Sequence, residues 1–226
     1  AYRGAQEYFG VQADMVTYGK TLGGGLPVGV LCGRHDQMKR YRDDQPANVS
    51  FARGTFNSHP YVMAAMNVFL RRIEEPEYQR MYSQADALWD TRAARLNKRL
   101  QDAGLPVEVA NLQSIWTVLY RTPSRYNWML QFYLRDAGLE LSWIGSGRMI
   151  MSFNFSDEEF EEVAARFVSA ASRMAEDGWW WQSKTLTDQS IQRQLVMETL
   201  QARFPLLARA KSKTGAPTGN LLEDAR

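Results

Sequence analysis

Residues 4–34 read GAQEYFGVQADMVTYGKTLGGGLPVGVLCGR, and this stretch decides the fold of the chain. Two short apolar segments, residues 15–18 and 28–32, flank a turn that contains Lys20 and four glycines. Short β-rich runs bounded by glycine and proline are typical of strands, so the pattern predicts strand, turn and strand. Continuous apolar strands indicate a sheet that is covered on both faces, with Cys32 as a buried small side chain.

Lys20 stands between a predicted strand and a triple-glycine turn, whereas most lysines lie on solvated helix faces. A lysine that forms a Schiff base must be held rigidly, partly desolvated and close to a flat cofactor. The glycines at positions 19 and 23–25 would allow that approach and supply unusual φ values. Spacing alone nevertheless favours an ordinary loop lysine in a Gly-rich turn, so both interpretations stay open at this point.

Hydrophobic spacing downstream of this turn predicts a mixture of helices and strands. The predicted helices cover residues 60–70, 77–103, 126–137, 157–176 and 188–204, and the predicted strands cover residues 107–110, 113–120 and 149–153. Pro60 suits a first helical turn, and Gly104 suits the end of a helix. Ser156 and Glu159 have the spacing of a capping box at the start of the fourth helix.

The break around Gly104 divides the predicted elements into two domains and an extension. Residues 1–104 are expected to form a larger sheet domain, and residues 105–181 a small α+β domain. Residues 182–226 are expected to form a C-terminal extension with one helix and a mobile polar stretch, KSKTGAPTGN. The predicted fold class is α/β.

Composition argues against several other classes of function. The 27 basic and 25 acidic residues nearly balance, which gives no basic patch to assign to nucleic acid. No apolar stretch is long enough to cross a bilayer and no signal pattern opens the sequence, so a soluble, cytoplasmic protein is expected. The single cysteine agrees with a reducing compartment, and no cluster of Cys, His or carboxylate residues has metal-binding spacing.

Beyond these local patterns, residues 4–34 resemble the active-site segment of class III aminotransferases, especially of the glutamate-1-semialdehyde aminomutase branch. Residues 51–66, FARGTFNSHPYVMAAM, are similar to the Gly-Thr-x-x-x-(His/Asn)-Pro segment of the same family and occur at the expected distance. With the small domain included, the resemblance covers residues 1–178. It implies the C-terminal part of a fold-type I pyridoxal 5′-phosphate (PLP) transferase, in which part of the large domain precedes the small domain.

The resemblance implies roles for residues of the first domain. Lys20 matches the lysine that holds PLP as an internal aldimine, and its amine would then act as general acid and base. Thr55, with the backbone N–H groups of Gly54 and Thr55, matches the threonine that binds the PLP phosphate across a dimer interface. The resemblance therefore implies a homodimer. The alternative for Thr55 is a cap before the helix that starts at Pro60.

Arg148 opens the string RMIMSFNFSDEEF, which resembles the closing motif of the family. In that motif the arginine can bind a substrate carboxylate through two hydrogen bonds. Met151 and Ser152 depart from the family, which commonly has two prolines at this place. An exposed arginine at the end of a strand explains Arg148 equally well.

His59 and the tryptophans have more ordinary interpretations. His59 precedes Pro60, where packing or capping is favoured over catalysis. Trp116, Trp143 and the run at residues 179–181 could line an apolar substrate channel. Aromatic residues at such places more often belong to a core or an interface.

The other cofactor contacts of the family, among them the aspartate that pairs with the PLP pyridine nitrogen, lie upstream of the matched segments. The resemblance therefore implies that the active enzyme includes an N-terminal portion of the same protein, since PLP needs that aspartate to act as an electron sink. The extension after Trp181 suits an aminotransferase embedded in a biosynthetic multidomain protein.

Three functions follow from these observations. The first is a PLP-dependent transaminase that moves an amino group from an amino donor to a ketone or aldehyde acceptor. The second is an intramolecular aminomutase of the glutamate-1-semialdehyde type, from which the closing motif and the extension differ. The third is a non-catalytic relic of the fold, which would have no chemical need to keep Lys20 and Thr55.

Overall fold

The computed structural model describes residues 1–40, 42–49, 54–141, 147–183 and 185–204. These residues divide into two units, Ala1–Asp90 and Thr91–Arg226. The division falls inside the longest helix, Pro76–Asp102. Each unit therefore takes one part of a single helix.

The residues of this helix that follow Asp90 contact other elements of the second unit. The Asn97 side chain donates to Val109 O and accepts from Val109 N, each at 2.8 Å. Five residues earlier on the same helix, Arg92 pairs with Asp157 at 3.0 Å. Hydrophobic spacing along one helix does not reveal where its partners change.

The first unit consists of a β-hairpin and helices. Its elements are α1 (Ala5–Phe9), β1 (Met15–Gly19), a 3₁₀ helix (Lys20–Gly23), β2 (Gly29–Gly33), α2 (His35–Met38), α3 (Pro60–Ile73) and the first part of α4 (Pro76–Asp102). The strands pair antiparallel, from Met15 opposite Gly33 to Gly19 opposite Gly29. Both predicted strands and both predicted helices of this unit are confirmed, with small shifts at their ends.

The prediction that Cys32 is buried in a covered sheet is wrong. Cys32 is exposed, and β1 and β2 form a two-stranded sheet whose side chains are mostly exposed. A buried strand is apolar throughout because neighbouring elements cover both of its faces. Within the described part of the first unit, too few elements pack against the two-stranded sheet to bury the Cys32 side chain.

The helices of the first unit meet at a few contacts. Tyr8 of α1 donates a hydrogen bond to Asp86 of α4 at 3.0 Å, and this bond raises the pKa of the Tyr8 phenol. Ala85 and Trp89 of α4 are fully buried. The 3₁₀ helix packs against α3, which begins at Pro60 as predicted.

The second unit contains a three-stranded antiparallel sheet and helices. After α4 come β3 (Val107–Leu112), β4 (Ile115–Tyr120), α5 (Leu130–Asp136), β5 (Arg148–Ile150), α6 (Asp157–Glu176) and α7 (Asp188–Arg203). The strand order is β3-β4-β5, and α5 packs against α6. Its largest fully buried side chains are Leu96, Leu100, Val107, Trp116, Leu130, Leu134, Phe160, Phe167 and Met174. The second unit thus has a continuous apolar core of the kind that a small α+β domain requires.

The start of α6 is capped as the sequence predicts. Glu159 N donates to Ser156 Oγ at 3.2 Å, and Ser156 N donates to Glu159 Oε2 at 2.8 Å. Arg92 of α4 is only 2% exposed and donates to Phe155 O at 2.9 Å and to Asp157 Oδ1 at 3.0 Å. The first turn of α6 is therefore anchored on α4.

The predicted helix of the extension is confirmed as α7. A second capping box, between Thr187 and Ser190, starts this helix. Ile191 is buried, and Arg125 donates to both carboxylate oxygens of Glu198 at 3.0 and 2.9 Å. The helix is thus bound to the second unit. The polar stretch at residues 211–220 lies outside the described residues.

Candidate active site

Lys20 is the first residue after β1 and the first residue of the 3₁₀ helix. Its φ is 53°, in the left-handed region, which costs a residue with a Cβ about 1–2 kcal/mol. Two hydrogen bonds hold the loop, from Gly24 N to Thr21 O at 2.9 Å and from Leu26 N to Gly23 O at 3.1 Å. The loop therefore holds the Lys20 backbone in an unfavourable conformation, as is frequent at functional sites.

The Lys20 side chain is exposed, which differs from the partial desolvation expected of a Schiff-base lysine. Space is open at two glycines of the same hairpin, since a Cβ atom on Gly25 or Gly29 would meet no heavy atom within 4 Å. A flat molecule can therefore approach the backbone there. Desolvation of the amine would have to come from that molecule or from another chain segment.

Two other glycines of the loop make close contacts. A Cβ atom on Gly23 would lie 2.9 Å from Val28 Cγ1. Gly24 has a φ of 59°, and a Cβ atom there would lie 3.7 Å from the Cβ of Ala65 in α3. The loop is thus packed against both α3 and the residue before β2. Sequence reasoning assigned conformational freedom to these glycines and missed the contact with Val28, to which the triple-glycine run is the only pointer.

Gly54 and Thr55 lie in an exposed turn that precedes α3. Asn57 N donates to Gly54 O at 3.0 Å within this turn. The capping alternative for Thr55 is wrong, because the N-cap residue of α3 is His59. A Cβ atom on Gly54 would meet no heavy atom within 4 Å, so there is room for an anion at the backbone of this turn.

His59 has a packing role rather than a capping role. Its side chain makes no capping hydrogen bond to α3. The ring lies 5.9 Å from the Phe56 ring and 5.4 Å from the Tyr61 ring, measured between centroids. Its Nδ1 atom is buried and has no hydrogen-bond partner among the described residues.

Arg148 begins β5, and its side chain is exposed. It lines a cleft of about 810 Å³ in the second unit, together with Leu139, Glu159 and Arg166. Arg148 could pair with a carboxylate there, but the lining also contains Glu140, Glu158, Glu159 and Glu162, and Arg166 is paired with Glu162, so the cleft as a whole does not favour an anion. The same position also agrees with an ordinary exposed arginine at a strand end, so the geometry leaves both interpretations open.

Of the four predicted site residues, Lys20, Gly54 and Thr55 belong to the first unit and Arg148 to the second. Lys20 and Thr55 stand on separate turns of the first unit, and in the part of the chain that the structure describes no hydrogen bond links them. Each residue is therefore placed by its own local structure.

Trp116, Trp179 and Trp180 of the second unit contact other residues of the protein, whereas Trp128 is 51% exposed. Trp116 is fully buried, with its ring 5.6 Å from that of Phe160. Trp180 Nε1 donates to Ala171 O at 2.9 Å, and Trp179 lies 5.4 Å from Tyr126 between ring centroids. These contacts agree with the core and interface interpretation. Trp143 lies outside the described residues.

Two further findings concern other kinds of site. Within the described ranges, no three His, Cys, Asp or Glu side chains come together as a group that could hold a metal ion. The helices within these ranges are too short or too polar to cross a bilayer.

Comparison with known proteins defines the family. Residues 4–171 match the model of the family "Aminotransferase class-III", which is well over half of the chain. The chain belongs to the class III aminotransferase family. The match includes the segments that carry Lys20, Thr55 and Arg148.

Two curated relatives show which members the chain is similar to. It is 38% identical to glutamate-1-semialdehyde 2,1-aminomutase of Rhodopirellula baltica over 121 residues, which is 53% of this chain and 26% of that protein. It is 37% identical to the enzyme of the same name from Methanopyrus kandleri over 118 residues, again 26% of that protein. The matched part thus spans about a quarter of each relative's length.

Solved structures show the same fold. A transaminase with PLP bound superposes with a TM-score of 0.66 at 26% identity, and the match covers 79% of this chain and 42% of that one. An omega-transaminase from Sphaerobacter thermophilus superposes with a TM-score of 0.62 at 23% identity over 74% of this chain and 40% of that one. The predicted fold, the C-terminal part of a fold-type I PLP-dependent transferase, is confirmed.

Proposed function

We propose that this chain is part of a PLP-dependent transaminase and that Lys20 binds the cofactor covalently. The observation that carries the proposal is the position of Lys20, a primary amine held at a left-handed φ between a strand and a glycine loop in a segment that matches the class III family. Strain of this kind persists only where the surrounding structure enforces it. Ser58 and Gln113 share the left-handed φ, so the family match of the segment that contains Lys20 is what distinguishes this lysine.

The residues present fit two ends of PLP. The Lys20 amine is exposed and can react with the aldehyde of the cofactor. The Thr55 hydroxyl and the open backbone at Gly54 suit the phosphate. When bound, PLP supplies an electron sink for the substrate Cα. Lys20 would then act as the base that takes the Cα proton and the acid that returns it.

We further propose that the active assembly is a homodimer that includes an N-terminal portion of the same protein. The matched part spans 26% of the curated relatives and 42% of the PLP-bound transaminase. Beside Thr55, the rings of Phe56 and Tyr61 are 77% and 76% exposed. Large exposed aromatic rings next to the phosphate turn favour contact with a partner subunit.

The finer assignments belong to the same proposal. Arg148 would bind a substrate carboxylate in its cleft, and the substrates would be a small amino donor and a carbonyl acceptor. The organisation would comprise residues 1–104 of the large domain, the small domain at 105–181 and the extension at 182–226. The enzyme would be cytoplasmic and biosynthetic.

The proposal is tested with the natural polypeptide that contains these 226 residues. We expect it to bind PLP with a visible absorption band that disappears in Lys20→Ala. When amino donors from a panel are added, the absorption band should change and the keto acid of each accepted donor should be released. The control is Lys98→Ala, a change at an exposed lysine of α4, which should behave as wild type. A protein that binds no PLP would contradict the enzyme and favour a relic of the fold.

A second candidate is an aminomutase, which the names of the curated relatives favour. It would use the same lysine and keep the amino group within one substrate. Accumulation of a keto acid from the amino donor distinguishes the two, because the aminomutase releases none. If the protein converts a semialdehyde substrate to its isomer with no amino donor present, it is an aminomutase and the transaminase proposal is wrong.

A further inference from the structure

Two glycines of the loop that carries Lys20 lie close to Val28: a Cβ atom on Gly19 would lie 3.2 Å from Val28 O, and Gly23 makes the tighter approach. Gly23 ends the 3₁₀ helix and is its buried residue. A Cβ atom on Gly23 would lie 2.9 Å from Val28 Cγ1 and 3.3 Å from Val28 Cβ. Carbon atoms pack best at about 3.5–4.0 Å. The side chain of Val28 therefore occupies the space that a side chain on Gly23 would need.

Conformational freedom is not the reason for glycine at this position. Gly24 and Gly25 have φ values of 59° and 95°, in the region that favours glycine. Gly23 is not among the residues with positive φ, so its backbone is open to any residue. Space against Val28 is the one requirement that the structure shows.

This contact sets the path of the chain through Lys20. Gly19 pairs with Gly29 at the end of the ladder between the two strands. Gly23 lies against Val28, the residue next to Gly29. The four residues of the 3₁₀ helix therefore lead from Gly19, the last residue of β1, to the contact with Val28, the residue before β2. Lys20, the first residue of this turn, has a φ of 53°.

We propose that Gly23 and Val28 are positioning residues for Lys20, because their contact fixes the turn and with it the direction of the lysine side chain. The inference rests on the proposed role of Lys20 as the PLP lysine. It predicts that the turn responds to the volume shared by the two positions. Adding side-chain volume at Gly23 alone, or removing it at Val28 alone, should therefore disturb the turn. Making both changes together keeps the total volume and should be tolerated.

The experiment compares Gly23→Ala, Val28→Ala and the double variant in the natural polypeptide. The first measurement is the rate at which Lys20 is labelled by PLP with cyanoborohydride, located by peptide mass. The second is kcat for each mole of PLP bound at Lys20. Gly23→Ala should lower both by about 10²-fold, with a smaller loss for Val28→Ala, because small displacements of a reacting group have such effects. The KM of the amino donor should change much less.

The double variant should recover most of the loss, since the methyl group introduced at position 23 fills the space that Val28 Cγ1 leaves. Val16→Ala is the matched control: it removes the same two methyl groups as Val28→Ala from a half-buried valine of the same hairpin, and should leave the labelling rate as in wild type.

Three outcomes would overturn the positioning role. The first is normal labelling and kcat in Gly23→Ala with only a lower thermal midpoint. The second is normal labelling and kcat in Val28→Ala, a variant that tests the contact even if Gly23→Ala does not fold. The third is a double variant as impaired as the worse single one. Absence of labelling in the wild type would instead refute the proposed role of Lys20 itself, and the positioning role with it.

Discussion

Left-handed φ values mark three non-glycine residues of the described chain: Lys20, Ser58 and Gln113. The sequence singles out Lys20, because its neighbours are glycines and its string matches a family. Its φ is not predictable from the sequence, because the left-handed region is unfavourable for a residue with a Cβ. Gln113 shows the same limit, because its φ of 51° belongs to the turn that delays β4 until Ile115.

Cys32 shows what a residue pattern leaves out. Its apolar surroundings predict burial, but the elements that would bury it are not determined by neighbouring residues. The core position of Trp116 is predictable because its large ring is costly to expose, whichever element covers it.

Asn97 carries a prediction at the residue scale. Its amide pairs with both backbone groups of Val109 at 2.8 Å in a partly buried setting, so Asn97→Ala leaves a donor and an acceptor of edge strand β3 unsatisfied. We expect the free energy of unfolding to fall by about 1–3 kcal/mol, measured by denaturant titration. Lys98→Ala next to it breaks an exposed ion pair with Asp102 and should cost at most about 0.5 kcal/mol. Equal losses would contradict the pairing role.

At the scale of elements, the ends of helices are the most predictable feature where local chemistry determines them. The capping box of α6 follows from Ser156 and Glu159 alone, because both partners lie within four residues. β5 ends earlier than the sequence predicts, at Ile150, since strand length depends on the neighbour strand. α5 begins as a 3₁₀ turn at Asn127 instead of a full helix from residue 126.

The cap of α6 gives a prediction at this scale. Ser156→Ala removes the hydroxyl that accepts from Glu159 N at 3.2 Å, and we expect a loss of about 1 kcal/mol in the free energy of unfolding. Ser156→Asp keeps an acceptor and adds a negative charge near the helix N-terminus, so it should retain wild-type stability. Thermal unfolding of the two variants measures the difference. A loss in Ser156→Asp as large as in Ser156→Ala would argue against the cap.

The contact between α4 and α6 predicts a dependence on pH. A hydrogen bond from Arg95 at 2.6 Å, together with Arg99, lowers the pKa of the Glu161 carboxyl from its ordinary 4.5. Because the folded pKa is lowered, the stabilisation is present above pH 4.5 and is lost as the pH falls through the folded value.

Unfolding free energies measured from about pH 6 down to about pH 2 would check this window. The loss of unfolding free energy on acidification should be smaller in Glu161→Gln. Glu162→Gln is the control for the change in net charge, because Glu162 pairs with Arg166 of its own helix. A Glu161→Gln protein with the same acid slope as wild type would show that the pair contributes nothing.

At the scale of the whole molecule, the two units differ in how completely they bury their side chains. The second unit contains most of the fully buried residues, whereas many apolar side chains of the first unit are exposed, among them Phe9, Leu31 and Phe56. The sequences of both units have apolar patterns of the same kind. Such a pattern does not reveal whether other elements are present to cover the apolar side chains. The family match supplies what the pattern could not, namely the fold to which the first unit belongs.

The proposed homodimer predicts complementation between two inactive variants. If Thr55 acts in the site of the neighbouring subunit, a mixed dimer of Lys20→Ala and Thr55→Ala has one site with both native residues. Random mixing at equal amounts should then restore about a quarter of the wild-type sites. If Thr55 served the Lys20 of its own chain, mixing would restore none. Activity at limiting PLP, measured after subunit exchange, separates the two cases.

The central claim, that Lys20 is the residue that binds PLP, is tested most directly by covalent trapping. The natural polypeptide is saturated with PLP, reduced with borohydride, digested and analysed by mass spectrometry. The account predicts one pyridoxyl adduct for each chain, on the peptide that contains Lys20, and its absence in Lys20→Ala. An adduct distributed over the exposed lysines, or one that persists in Lys20→Ala, would contradict it.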